Sequence, residues 1–207
     1  MGTGRSWKPG EKSFLPEELS SLVIRSIVED AQNYLGEEIE EAVISVPAYF
    51  HDEQRVAVKR AGALAGIHVE RIVNEPSAAA LASYFTANEE QNMLVFDFGG
   101  GTLDVSLVDC FDTMVEIVSV AGNNRLGGDD FDRLIAEHFL REHGVARQQL
   151  RAQEYAVLLK QAERCKKLLS EQDEVVMHAT VGDQLYESTY TMDRLFEESK
   201  ALLKEIR

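Results

Sequence analysis

Apolar positions along the chain switch between two periods, and the switches divide it into alternating helices and strands. Residues 1–15 are irregular, punctuated by Gly and Pro. Pro16-Glu17-Glu18-Leu19 then opens a helix, because proline and acids suit a first turn with orphan donors and a positive dipole end. Leu19, Leu22, Val23, Ile27 and Ala31 form an apolar stripe at helical spacing, with Gly36 as the stop. Ala42-Val43-Ile44-Ser45-Val46 is a short β-branched run of the kind found in buried strands. Asp52 is expected to cap a second helix running to Gly66. A strand follows over 69–73, and Glu75-Pro76 begins an alanine-rich third helix.

The second half keeps the rhythm. Met93-Leu94-Val95-Phe96 reads as a buried strand that runs straight into Asp97 and three glycines. Further strands are expected over 104–109 and 115–121. Gly127-Gly128 precedes an acidic start at Asp129-Asp130, with a helix expected from Phe131 to His143 and a longer one over 152–169. Two alternating segments, 175–181 and 186–191, read as a hairpin about Gly182-Asp183, and a last helix runs from Met192 to the C-terminus. Strand and helix in this alternation define an α/β fold. A domain boundary is expected in the polar stretch at 87–92, and no internal repeat is present.

Composition narrows the partners more than the fold. The 207 residues suit one large domain or two small ones. Twenty-one basic against 36 acidic side chains give a formal charge of −15, which repels nucleic acid and anionic membranes. No apolar run reaches membrane-spanning length, and the opening Met1-Gly2-Thr3-Gly4-Arg5-Ser6-Trp7 lacks a signal peptide's apolar core. Met1-Gly2 alone does little to support myristoylation. Two cysteines, Cys110 and Cys165, make neither a disulfide framework nor a metal site, so a reducing cytoplasm is expected.

The strongest chemical signal is Asp97-Phe98-Gly99-Gly100-Gly101-Thr102-Leu103-Asp104. Three glycines let a backbone turn sharply and approach a ligand, and successive peptide N–H groups in such a turn converge on an anion. Thr102 adds a hydroxyl donor. Asp97, at a strand end, can hold a hydrated magnesium ion, and Asp104 can face the same site. A strand follows the glycines, where the Rossmann and P-loop motifs place a helix, so the pattern is a hairpin grip. A plain glycine-rich hairpin turn is the competing reading.

Further strings converge with this turn: Val46-Pro47-Ala48-Tyr49-Phe50 followed by Asp52-Glu53-Gln54-Arg55, Asn74-Glu75-Pro76-Ser77-Ala78-Ala79-Ala80, and Leu126-Gly127-Gly128-Asp129-Asp130-Phe131-Asp132. In this order the chain resembles part of the nucleotide-binding domain of the DnaK-type seventy-kilodalton heat-shock chaperones, and residues 16–50 look closest to the HscC branch. The resemblance implies the actin-like ATPase fold, in which two ribonuclease-H-like lobes enclose ATP or ADP with Mg2+. It implies an incomplete fold spanning parts of both lobes. Residues 1–15 would end the outer first subdomain, 16–88 form the second half of the inner first, and 89–128 the first half of the inner second. Residues 129–192 would be the outer second subdomain and 193–207 the start of a return helix.

The same resemblance assigns residues. Gly99, Gly100, Gly101, Thr102 and Gly128 would contact the nucleotide. Asp97 and Glu75 would reach the metal through water, and Asp104 would lie near the attacking water. Glu163, Lys166, Lys167 and Ser170, spaced i, i+3, i+4, i+7 on one helix face, would bind adenosine; a solvated Glu–Lys face is the competing reading. Lys167 departs from the family's frequent arginine, whose planar group stacks better on adenine. Ser77, Leu103 and Asp129 are milder departures from threonine, phenylalanine and glutamate. Pro47 and Arg55 would relay nucleotide state to a peptide-binding domain, against bland readings as a strand-ending proline and a solvated arginine. Implied partners are a J-domain co-chaperone, a nucleotide-exchange factor and unfolded polypeptide.

The resemblance also implies that the first phosphate loop, the lysine near the attacking water, the second adenosine motif and the peptide-binding domain lie outside these residues. Little or no ATPase activity is then expected of the chain alone, and exposed apolar faces are expected to favour dimerisation or partial disorder. Two alternatives remain: a non-catalytic docking module for co-chaperones, and another actin-like protein such as a sugar kinase or filament protein.

Overall fold

The structure is a computed structural model that describes the chain except residues 9, 88–90, 112–113, 183 and 207; the side chains of 84–87 also lie outside the description. The chain divides into two compact units, Met1–Val95 with Ser106–Val120, and Phe96–Val105 with Ala121–Arg207. The boundary expected at 87–92 includes residues outside the described set, as does Asp183 of the expected hairpin turn.

In the first unit, helix α1 (Pro16–Leu35) starts where Glu18 Oε2 accepts from the Leu15 amide at 2.6 Å and stops at Gly36, whose φ of 72° is left-handed. Helix α2 (Asp52–Ala65) starts one residue earlier than a capping Asp52 requires. His51 is the N-cap, its amide donating to Gln54 Oε1 at 2.9 Å, and Asp52 is the first helical residue. Strands β1 (Glu41–Val46) and β2 (His68–Asn74) pair in parallel, joined by the α2 crossover. Gly62 lets α2 seat against β2: a Cβ there would lie 2.2 Å from Val69 Cγ2. Helix α3 (Glu75–Ala87) follows β2 directly.

Of the expected apolar stripe, α1 covers only the two ends, Leu19 and Ala31, which are half-buried. Glu17 and Ser21 are buried and Ile24 and Val28 half-buried, a stripe at i, i+4, i+7 and i+11. Leu22, Val23 and Ile27 are 53%, 60% and 61% exposed. The helix is apolar on two sides, and a single-face reading of the pattern picks only one of them.

Strands β3 (Gln91–Phe98), β4 (Leu103–Phe111) and β5 (Met114–Asn123) form a sheet in that order. The four-residue connection from β3 to β4 is too short for a crossover, so that pair is an antiparallel hairpin. Val108 and Cys110 pack with Ala80, Met93 and Val95, while Leu94, Val118 and Val120 point into solvent.

The second unit holds the larger core. Helix α4 (Gly128–Glu142), a short 3₁₀ turn (Arg147–Gln149) and helix α5 (Ala152–Leu168) pack on the antiparallel hairpin β6 (Glu174–Val181) and β7 (Gln184–Thr191). Val175, Met177 and Ala179 alternate inward along β6 against Ile135, Phe139, Leu158 and Ala162. Gly182 turns the hairpin with φ 61°. Tyr190 is fully buried and its hydroxyl donates to Ile135 O at 3.1 Å. Burial pushes the Cys165 thiol up to about 11, leaving it unreactive at neutral pH.

The last helical segment is two helices where one was expected. Thr191 Oγ1 caps α6 (Met192–Glu198), and α7 (Lys200–Glu205) begins after Ser199. Arg194 explains the anchoring of α6: it reaches Glu142 and Glu198, each at 2.8 Å.

Candidate functional site

The glycine turn joins β3 to β4 and lies in the second unit. Gly99 N donates to Thr102 O at 2.9 Å, closing the turn. Its carbonyls point at the start of α4: Gly99 O accepts from Gly128 N at 3.0 Å and Gly100 O from Asp129 N at 2.7 Å. The first amides of α4 are therefore used by the turn and are not left for a ligand. Because the carbonyls face the helix, the amides of Gly100 and Gly101 are left without a partner among the described residues, as is the Thr102 hydroxyl. Gly100 and Gly101 are exposed. Peptide N–H groups of successive residues, free and exposed in one turn, are the donor set an anion requires.

This seat depends on Gly127. A Cβ at that position would lie 2.4 Å from Gly100 O and 2.5 Å from Gly101 N. Its φ of −167° is extended and open to any residue, so the constraint is the approach of the backbone and not the backbone angle. Gly127 N in turn donates to Asp130 Oδ2 at 2.8 Å, which starts α4 three residues earlier than the expected Phe131. Phe131 packs edge-on against Phe98, with centroids 6.2 Å apart, and further ties the strand end to the helix.

Two carboxylates flank the glycines. Burial, and then the neighbouring Asp97 carboxylate, hold the Asp104 carboxyl above the usual carboxylate range. Asp97 itself is exposed. An acid held above its ordinary range beside a second carboxylate is a natural seat for a cation, which removes the repulsion.

Lys166, on α5, is turned inward. Its Nζ lies 2.7 Å from Asp132 Oδ1 and donates to Gly128 O at 2.8 Å, linking α5 to the start of α4. Asp132 is only 7% exposed. Burial pushes its carboxyl up, Lys166 pulls it down, and Glu163 and Asp129 push it up again. Lys167 is on the exposed side and pairs with Glu163 at 2.6 Å, an interaction that raises the lysine and lowers the acid. Ser170 lies past the end of α5, in a turn where its amide donates to Lys167 O at 3.1 Å. The face expected to carry Glu163, Lys166, Lys167 and Ser170 is therefore split. Asp132 was not singled out in the sequence, since an acid in an Asp-rich first turn already has a helix-dipole explanation.

Glu75, Pro47 and Arg55 lie in the first unit. Glu75 is the first residue of α3. Pro47 ends β1 in a turn where its carbonyl accepts from Phe50 N at 3.1 Å. Arg55 is half-buried: its Nε donates to Phe50 O at 3.0 Å and its Nη2 to Asn74 Oδ1 at 2.6 Å. It bridges that turn to the end of β2 beside Glu75, so it is not the free solvated arginine of the bland reading.

The hairpin turn with its bare amides and flanking carboxylates stands in an α/β framework of the actin-like ATPase class. The Hsp70 protein family model matches residues 4–206, and the chain belongs to that family. It is 50% identical over 150 residues to the chaperone protein DnaK of Thermotoga neapolitana, across 70% of this chain and 25% of that protein. The chain thus spans about a quarter of the length of this curated relative. Among the described residues no helix is long and apolar enough to cross a membrane.

Proposed function

We propose that this chain supplies one side of the ATP-binding and ATP-hydrolysing site of a DnaK-type chaperone, of the HscC type by its residues 16–50. The observation that carries the reading is the turn held by its carbonyls to α4 with the Gly100 and Gly101 amides free. Those amides and the Thr102 hydroxyl bind the β- and γ-phosphates, and Gly99 shapes the turn. Gly128 orients it from the start of α4. Asp97 would hold a magnesium ion through water. When bound, that ion supplies charge neutralisation between the carboxylates and the phosphates. Asp104, with its raised proton affinity, positions the water that attacks.

Glu163, Lys167 and Ser170 form the adenosine side, while Lys166 braces it through Asp132 and Gly128. Lys167 is 71% exposed and available to lie over a base. Arginine stacks on a ring better than lysine, in an interaction worth about 0.5–1 kcal/mol in all at an exposed site. In the full-length protein, Lys167→Arg is expected to tighten adenine nucleotide binding by up to about fivefold, measured by calorimetry; unchanged affinity counts against this placement.

In the whole protein, nucleotide state governs binding of unfolded polypeptide through Pro47 and Arg55, with a J-domain co-chaperone and a nucleotide-exchange factor as partners. Two free, buried cysteines fit a reducing cytoplasm. The opposing part of the site comes from segments beyond these residues. The chain alone is therefore expected to show no steady ATP turnover, while Asp97→Ala in the full-length protein abolishes it. Sustained hydrolysis by the 207-residue chain at a complete domain's rate, lost in Asp97→Ala, overturns the half-site reading.

A further inference from the structure

The first unit gathers three metal-ligating side chains that the nucleotide reading does not use. Along the parallel pair, Glu41 stands opposite His68 and Ala42 opposite Val69. The register then slips so that Val43 faces Arg71, which leaves Glu70 as the extra residue of a β-bulge. A bulge frees one residue from the ladder and re-aims its side chain. Here the Glu70 carboxylate lies 3.3 Å from His68 Nε2. Glu41 completes the group: one ligand atom from each of the three residues lies within 4.8 Å of the others. The backbone is pinned at the same place, since the His68 amide donates to Glu40 O at 2.9 Å.

We propose that Glu41, His68 and Glu70 bind a divalent first-row transition ion such as Zn2+ or Ni2+. An imidazole selects these borderline ions over Mg2+, which prefers an all-oxygen shell, and two carboxylates complement their charge. Three protein ligands leave the remaining positions to water. Because the ligands come from both strands, the ion cross-links β1 to β2 at their first residues and favours the folded first unit by mass action. The site is independent of the nucleotide reading.

Titrating NiCl2 into the 207-residue chain, followed by calorimetry and by thermal unfolding, tests it. The His68 and Glu70 side chains are 66% and 57% exposed, so His68→Ala and Glu70→Gln leave the fold intact, which circular dichroism checks. One ion is expected to bind and to raise the unfolding temperature. His68→Ala weakens binding about tenfold or more, and Glu70→Gln and Glu41→Gln weaken it less. Excess MgCl2 leaves nickel binding in place. Absence of binding at millimolar nickel overturns the site. So does unchanged affinity in His68→Ala, which assigns the ion to His51, His138, His143 or His178.

Discussion

Gly127→Ala is expected to disable the phosphate turn, and its effect separates packing from backbone strain. The extended φ of −167° accepts alanine without penalty, so the added methyl acts only through what it meets. It meets backbone: Gly100 O at 2.4 Å and Gly101 N at 2.5 Å, atoms that cannot rotate away as a side chain can. The turn must lift from α4 and break the bonds from Gly128 N and Asp129 N to its carbonyls. Overpacking of this kind costs about 1–3 kcal/mol. Two backbone bonds lost add about 1 kcal/mol each. A fall of about 3–5 kcal/mol in unfolding free energy of the second unit is expected by denaturant titration, with nucleotide affinity of the full-length protein falling more than tenfold. Wild-type stability and affinity in the variant would show that the turn does not rest on α4.

Lys166→Met is expected to have a comparable effect with a pH signature. Methionine keeps most of the apolar stem but leaves Asp132 buried without its cation and Gly128 O without its donor. Removing one partner of a buried pair costs about 3–5 kcal/mol. Burial already holds the Asp132 carboxyl above its ordinary 3.8 in the wild type, so the folded state keeps that proton more tightly than the unfolded chain does. Such a group favours the fold below the unfolded pKa, and the advantage is lost as pH rises through the raised folded value. Without Lys166 the folded value climbs further and the window widens upward. The variant should therefore lose much more stability at pH 7 than at pH 4, and Asp132→Asn in the same background should restore much of it. A loss independent of pH, measured by urea unfolding at both values, would show that the charge of Asp132 is not the cause.

The order of elements was legible because strand and helix periods differ and because Gly36, Gly66 and Gly182 mark true turns with left-handed φ. The turn between β3 and β4 was legible because three consecutive glycines interrupt an apolar strand run. What the sequence concealed is tertiary. Which side of α1 is covered was not legible, because Leu22 and Val23 are as apolar as Ile24 and Val28 and periodicity cannot tell which side meets α2. Lys166 and Lys167 are adjacent in sequence and alike in chemistry, yet 100° of helix turn sends one to Asp132 and the other to solvent. The start of α4 moved from Phe131 to Gly128 because the carbonyls of a distant hairpin supply partners to its first amides. Burial of Asp132 likewise follows from the packing of α5, which local pattern does not record.

Backbone amide NMR of the 15N-labelled chain, titrated with Mg-ADP and Mg-ATP, tests residue by residue whether the bare amides of the turn hold phosphate, even where binding is weak. Gly100, Gly101 and Thr102 are expected to shift first and furthest, with Asp97 and Asp104 following when Mg2+ is included, and the shifts are expected to disappear in Gly127→Ala. Shifts confined to other residues, or none at these positions at millimolar nucleotide, would contradict it.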